Sequence, residues 1–271
     1  MNNSYLMVAG DKQKHLDKLS ILKCDMAIVN LEDGVYDKEY ARKLVFDNLN
    51  NKDNSNIVVR VNDLETCGKE DIKTINQIKP KAIRVAKIKT ISDVQIALDL
   101  IDDDIEVHLS IETKEALHNL ENLKISSRVT TVYFGILDML ESLGLPQSLV
   151  TLENPTIDYL LSRFLISCKI AGFKAISFVY QDYKNLEEFK SWCIKEKSLG
   201  FTSKVCISPS QVDILNKIHL TNKEELKKAL YIKEVFEKNK ENKKTAIKDK
   251  LYGFIDEPIY KDALLFIKNN R

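Results

Sequence analysis

The stretch DMAIVNLEDGVYDKEYARKL, residues 25–44, decides the reading of the fold. Met26 to Leu31 form an apolar run broken only by Asn30, the pattern of a strand with both faces covered. The run ends on the acids Glu32 and Asp33, and Gly34 permits a turn. KEYARKLVFDNLN then follows with helical periodicity, long enough to return the chain for a parallel neighbour. One buried strand, one turn and one returning helix make a single unit of a parallel sheet, and two carboxylates sit where the strand ends.

Outward from this stretch the unit recurs. YLMVAG (5–10), NIVVRVN (56–62), AIRVAKI (82–88), EVHLSIET (106–113), TVYFGILD (131–138), KAISFVYQD (174–182) and SKVCISP (203–209) read as further strands, which with 25–33 makes eight. Segments such as TISDVQIALDLI and NLEEFKSWCIKEKS carry helical periodicity between them. Eight strand–helix units in about 200 residues predict an α/β fold of the (β/α)8 TIM barrel type, with a doubly wound open sheet as the alternative that periodicity leaves open. The expected organisation is a barrel over residues 1–220 and a C-terminal helical extension over 221–271, with a solvated Lys/Asn-rich connector near 238–250. The segment after the connector, with Tyr252, Phe254 and Ile255, is apolar enough that it should dock on its own barrel or on a neighbouring subunit.

Charge and cysteine content narrow the function classes. Lys plus Arg at 41 nearly cancels Asp plus Glu at 40, so no overall field favours nucleic acid or an acidic membrane surface. Five scattered cysteines show no metal-ligand spacing, and no window approaches transmembrane length; the expectation is a cytoplasmic protein with reduced thiols.

In a barrel the working face lies at the C-terminal strand ends. There the sequence puts Glu32 and Asp33, Arg60 and Asn62, Lys87, Glu112 and Thr113, Asp138, Asp182, and Ser208. Each alone reads as a cap or a solvent-facing polar group; together they read as a site, because desolvating such groups is costly unless they pair with one another, a metal or a charged ligand. Glu112 and Asp138 follow apolar strands and have the character of hard-metal ligands suited to Mg²⁺. No histidine cluster competes, since His15, His108, His118 and His219 are dispersed, and His108 reads as a packed residue. Arg60 can grip a carboxylate with two N–H groups. A Mg²⁺ ion chelated by a 2-oxo acid beside a guanidinium is equipped to stabilise an enolate.

The motifs NLEDGV with ARKL, VRVN, VAKI, SIET, FGILDMLESLG, GFTSKVCISPSQV and GFIDEP occur in the order and approximate spacing of the citrate lyase β-subunit-like group of the HpcH/HpaI aldolase superfamily, which the chain resembles from LMVAG to IDEP. The resemblance implies a (β/α)8 barrel, usually a homotrimer, that uses Mg²⁺ to make or break a carbon–carbon bond between a 2-oxo acid and an acyl thioester on CoA or acyl carrier protein. It implies Glu112 and Asp138 as metal ligands, Arg60 as the holder of the oxo acid, and Glu32 with Asp33 as an acidic pair near the metal and its waters. It further implies Lys87, Gly135, Ile136 and Leu137 at the substrate, and Asp256 of IDEP as an acid that reaches a neighbouring subunit's site. Departures from the family pattern fall at Ala9, Asn30, Ala116, Ser177 and Ser208, and at Asn3 or Ser4 before strand one. They point to an altered substrate or to a silent barrel that binds an oxo acid or acyl carrier. A phosphate-binding barrel is a weaker alternative, since SPSQV lacks a glycine-rich cradle.

Overall fold

A computed structural model describes residues 4–219, 223–241 and 245–269. Eight parallel strands run β1 (Ser4–Ala9), β2 (Met26–Asn30), β3 (Ile57–Val61), β4 (Ala82–Val85), β5 (Glu106–Ile111), β6 (Val129–Phe134), β7 (Lys174–Ile176) and β8 (Lys204–Cys206). Neighbours in sequence pair from β1 through β7, and β8 pairs with β1. A single parallel bridge, Ser177 to Lys204, with the Ser177 N–H donating to the Ser203 carbonyl at 3.1 Å, nearly closes the sheet into a barrel. The expected (β/α)8 architecture is present, and the open-sheet alternative falls to that closure.

The strands are shorter than their apolar runs. GILD reads as the end of strand six, yet Ile136–Ser142 is a helix that begins directly after Gly135. In KAISFVYQD only three residues pair as a strand. Apolar content marks burial rather than ladder pairing, and the residues just past a barrel strand are buried as well.

Two apolar layers hold this unit together. The larger fills the space between strands and helices, with Val29, Val59, Val85, Leu109 and Val132 on the outward face of the strands. The smaller lies inside the barrel and contains Tyr5, Met26, Ile28, Val58, Ala82, Tyr133, Ile176 and Val205. Because successive side chains alternate between faces, Arg60 shares the inward face with Val58, and Arg84 shares it with Ala82. Helix starts are fixed locally: Asp37 accepts the Tyr40 N–H ahead of helix Lys38–Leu49, and Thr90 with Asp93 forms a capping box.

The residues to Ile218 form one compact unit and those from His219 onward a second. In the second, helix Lys223–Glu241, an antiparallel pair of strands β9 (Ile247–Asp249) and β10 (Gly253–Ile255), and helix Glu257–Asn269 surround Ala229, Ile232, Phe236, Ile255, Ala263 and Ile267. In the stretch 238–250, expected as a solvated connector, the described side chains are exposed or half-buried, while the backbone is helical through Glu241 and pairs as a strand over Ile247–Asp249. Lysine is a good helix former, so the helix continues through Glu241 on its exposed face. Asp249 turns the following chain by accepting the Leu251 and Tyr252 N–H groups. Residues 242–244 lie outside the described residues.

Candidate active site

A cavity of about 330 Å³ opens at the C-terminal strand ends, lined by Asn30, Asp33, Arg60, Arg84, Glu112 and Asp138 among others. Its centre is Arg60, which β3 holds almost fully buried. One terminal nitrogen, Nη2, meets Glu32 Oε2 at 2.6 Å, Glu112 Oε1 at 3.1 Å and Asp33 Oδ2 at 3.4 Å. The acidic pair that ends strand β2 thus faces the arginine of the neighbouring strand, which is why a buried strand can end on acids at all.

The turn around those acids is fixed by its own chain. Asn30 Nδ2 donates to the Asp33 carbonyl at 2.6 Å, the Asp33 N–H donates to Glu32 Oε2 at 2.7 Å, and Gly34 takes a φ of 79°. Lys38, the first residue of the next helix, donates to the carbonyls of Leu31 and Glu32. Burial pushes the Glu32 carboxyl up to about 7 against the pull of Arg60. Burial also acts to raise Asp33, but its hydrogen bond with Glu32 and the charges of Arg60 and Lys87 outweigh it and hold Asp33 below its ordinary value.

Glu112, just past β5, is 2 % exposed. Its Oε2 accepts the backbone N–H of Lys87 at 3.2 Å, and Lys87 adopts a left-handed φ of 52° to present that group. The Lys87 side chain is exposed and does not line the cavity. Burial lowers its ammonium, but the surrounding carboxylates, Glu32 foremost, outweigh it and hold it above its ordinary value. A Cβ built on Gly135 would lie 2.4 Å from Glu112 Cγ, so the glycine makes room for the glutamate. Ile136 and Leu137 line the cavity beyond it. Asp138 is raised by burial and by repulsion from Glu112 and Asp33, and it accepts no hydrogen bond among the described residues.

Among the described residues no three His, Cys, Asp or Glu side chains gather as a metal site. The donor set nevertheless fits Mg²⁺, which takes one or two protein carboxylates and completes its shell with water and substrate oxygens. Glu112 and Asp138 are two such carboxylates in one cavity, and their mutual repulsion is what a divalent cation would relieve.

Several expected strand-end residues do other work. Thr113 caps helix Lys114–Asn119, Asp182 accepts the N–H groups of Lys184 and Asn185, and Ser208 accepts the Gln211 N–H. Asn62 is tied to the Leu31 carbonyl and to buried Asp71, which Arg42 neutralises at 2.8 Å. Asp256 belongs to the C-terminal unit, where its Oδ1 accepts the Ile259 N–H at the start of the last helix. Of the departures at Asn30, Ser177 and Ser208, only Asn30 lines the cavity. His108 is packed as expected, 3.1 Å from the Tyr133 hydroxyl. Sequence reasoning missed Arg84, though a lone arginine inside the apolar run AIRVA was a visible signal.

The citramalyl-CoA lyase, mitochondrial, of Homo sapiens is 26 % identical over 283 residues, 95 % of this chain and 82 % of that one. A (3S)-malyl-CoA thioesterase of Cereibacter sphaeroides is 27 % identical over 220 residues, 79 % of this chain and 76 % of its own. The crystal structure of protein CitE from Mycobacterium tuberculosis in complex with magnesium, acetoacetate and coenzyme A superposes with a TM-score of 0.81 at 20 % identity, covering 99 % of this chain and 98 % of that one. The model of the HpcH/HpaI aldolase/citrate lyase family matches residues 3–209, which take in all eight strands and every residue that lines the cavity, and the chain belongs to that family as a citrate lyase β-subunit-like member.

Proposed function

We propose that the chain is a Mg²⁺-dependent carbon–carbon lyase that cleaves or forms a 3-hydroxy acyl thioester of the citryl, malyl or citramalyl type, with a 2-oxo acid and an acyl thioester as the other side of the reaction. The observation that carries this reading is the meeting of Glu112, Asp138 and Arg60 in one cavity. Family membership, the lyase relative and the magnesium in the CitE structure support it.

Glu112 and Asp138 would hold the metal, whose bound form supplies Lewis-acid polarisation of the oxo-acid carbonyl. Arg60 anchors the oxo-acid carboxylate, and Glu32 and Asp33 hold its guanidinium in place. Lys87 fixes Glu112 Oε2 through its backbone N–H, while Gly135 leaves the space that Glu112 occupies. Ile136 and Leu137 supply an apolar wall that keeps water from the reacting carbon. A cavity of about 330 Å³ is at the small end for ligand sites, so it suits the acid and the acyl head and leaves the carrier, CoA or acyl carrier protein, outside. The proposed proton carrier at the enolate carbon is Asp256 of a neighbouring subunit, with a bound water as the alternative; Asp256→Asn should then lose turnover while oxo-acid binding stays intact. Assembly as a homotrimer belongs to the same proposal, and light scattering on the 31.1 kDa chain tests it.

The decisive experiment measures release of glyoxylate, pyruvate and oxaloacetate from malyl-, citramalyl- and citryl-CoA, with and without Mg²⁺, for the wild type and Glu112→Gln. The expected result is release that needs both the metal and Glu112, with a loss of at least about 1,000-fold in the variant. Release of the free hydroxy acid and CoA with no oxo acid would replace the lyase reading with thioester hydrolysis, the activity for which the bacterial relative is named. Silence across the panel in a folded protein would leave a barrel that binds without turnover.

A further inference from the structure

Arg84 and Arg60 are register partners on adjacent parallel strands, so two guanidinium side chains project side by side from the same level of the barrel wall. Both are almost fully buried, at 4 % and 6 % exposure, and both line the cavity. Like charges directly opposite one another in a sheet are destabilising. The two arginines are not equally compensated. Arg60 faces three carboxylates within 3.4 Å, whereas among the described residues the only carboxylate within 4.0 Å of Arg84 is Glu112, whose Oε1 lies 3.7 Å from Nη2, too far for a hydrogen bond and already shared with Arg60. Nε of Arg84 donates to Ser110 Oγ at 2.8 Å, and the guanidinium stacks 4.1 Å above the Tyr133 ring, which holds its plane. Nη1 is buried with no partner. An unpaired buried donor costs about 1–3 kcal/mol, more when charged, and that cost is recovered by an acceptor brought in with a ligand.

We propose that Arg84 is a specificity-determining residue that binds a second carboxylate on the 2-oxo acid, so that the site takes dicarboxylic oxo acids in preference to pyruvate or glyoxylate. This rests on the reading of the cavity as an oxo-acid site, in which Arg60 takes the first carboxylate. A guanidinium locked in plane by Ser110 and Tyr133 is pre-organised for a planar carboxylate and needs no rearrangement to receive it.

Isothermal titration calorimetry in the presence of Mg²⁺, with pyruvate and glyoxylate set against oxaloacetate and 2-oxoglutarate, tests the proposal on the wild type, Arg84→Lys and Arg84→Gln. The wild type should bind at least one dicarboxylate tenfold or more tighter than pyruvate. Arg84→Gln should abolish that advantage while changing the pyruvate Kd less than about threefold, and Arg84→Lys should keep part of it, since charge survives and the fork does not. Equal binding of mono- and dicarboxylates by the wild type overturns the proposal and needs no variant to fold. Equal weakening of both classes in Arg84→Gln also overturns it, since that is the signature of a structural role. Dicarboxylate binding that depends on Arg84 without any lyase turnover would sustain this inference and remove the lyase reading. Pyruvate binding and turnover with no preference would do the reverse, and failure to bind any of the four acids would remove both.

Discussion

At the scale of single residues, the site depends on room as much as on charge. Gly135→Ala would put a methyl 2.4 Å from Glu112 Cγ, and Glu112 has no free direction because Arg60 and the Lys87 N–H hold its two oxygens. Displacing a catalytic group by about 1 Å costs roughly 100-fold, so on the proposed role of Glu112 as a metal ligand kcat/KM should fall by that order with the near-ultraviolet circular dichroism unchanged. An alanine variant of normal activity would contradict the role of the glycine. Glu32 supports a pH prediction. Its folded pKa of about 7 is raised from an ordinary 4.5, so the native state holds the proton more tightly than the unfolded chain. The stabilisation is complete below the unfolded value and is lost as pH rises through about 7. In denaturant titrations with a chelator present, Glu32→Gln should gain on the wild type between pH 4.5 and 7.5; a difference independent of pH would show that Glu32 stays ionised throughout. Glu32 itself is evident in the sequence as a strand-end acid. Its high pKa is not, because that follows from burial by tertiary packing, which outweighs the opposing pull of Arg60 on a different strand.

At the scale of elements, strand β8 and helix Leu186–Leu199 are joined by an ion pair with almost no solvent. Lys204 Nζ meets Glu196 Oε1 at 2.6 Å with both residues buried, and it also donates to the Phe178 carbonyl at 2.8 Å. Burial pushes the Glu196 carboxyl up, and the charge and hydrogen bond of Lys204 are the main opposition to that rise. Lys204→Met should therefore destabilise by about 3–5 kcal/mol, because it leaves a buried charge alone, and adding Glu196→Leu should recover most of the loss. Chemical denaturation of the single and double variants checks this, and an additive loss in the double variant would refute it. The eight strands and their order were legible because apolar runs and returning helices are local patterns. The caps were not separable from the site in the same way. Thr113, Asp182 and Ser208 occupy the same kind of position as Glu112 and Asp138, and only the neighbours each one meets distinguish a helix cap from a cavity wall.

At the scale of the whole molecule, the two units each have a core of their own, and Trp192, the single tryptophan, is buried in the barrel unit. Thermal unfolding followed by Trp192 fluorescence should report the barrel alone, while far-ultraviolet circular dichroism should show a second transition from the C-terminal helices. Coincidence of the two curves would mean one cooperative unit. The chain length, the eightfold alternation and the placing of acids and bases at strand ends were determined by the sequence alone, because hydrophobic periodicity and turn chemistry act over a few residues. The tertiary structure decided which of those residues meet. Arg60 finds Glu112 across 52 positions and stands beside Arg84 through the register of β3 and β4, and Gly135 proves to be a space reserved for a glutamate at the end of the preceding strand. Those meetings depend on strand register and on closure of the barrel, which are set by packing over the whole domain and leave no trace in any short stretch of sequence.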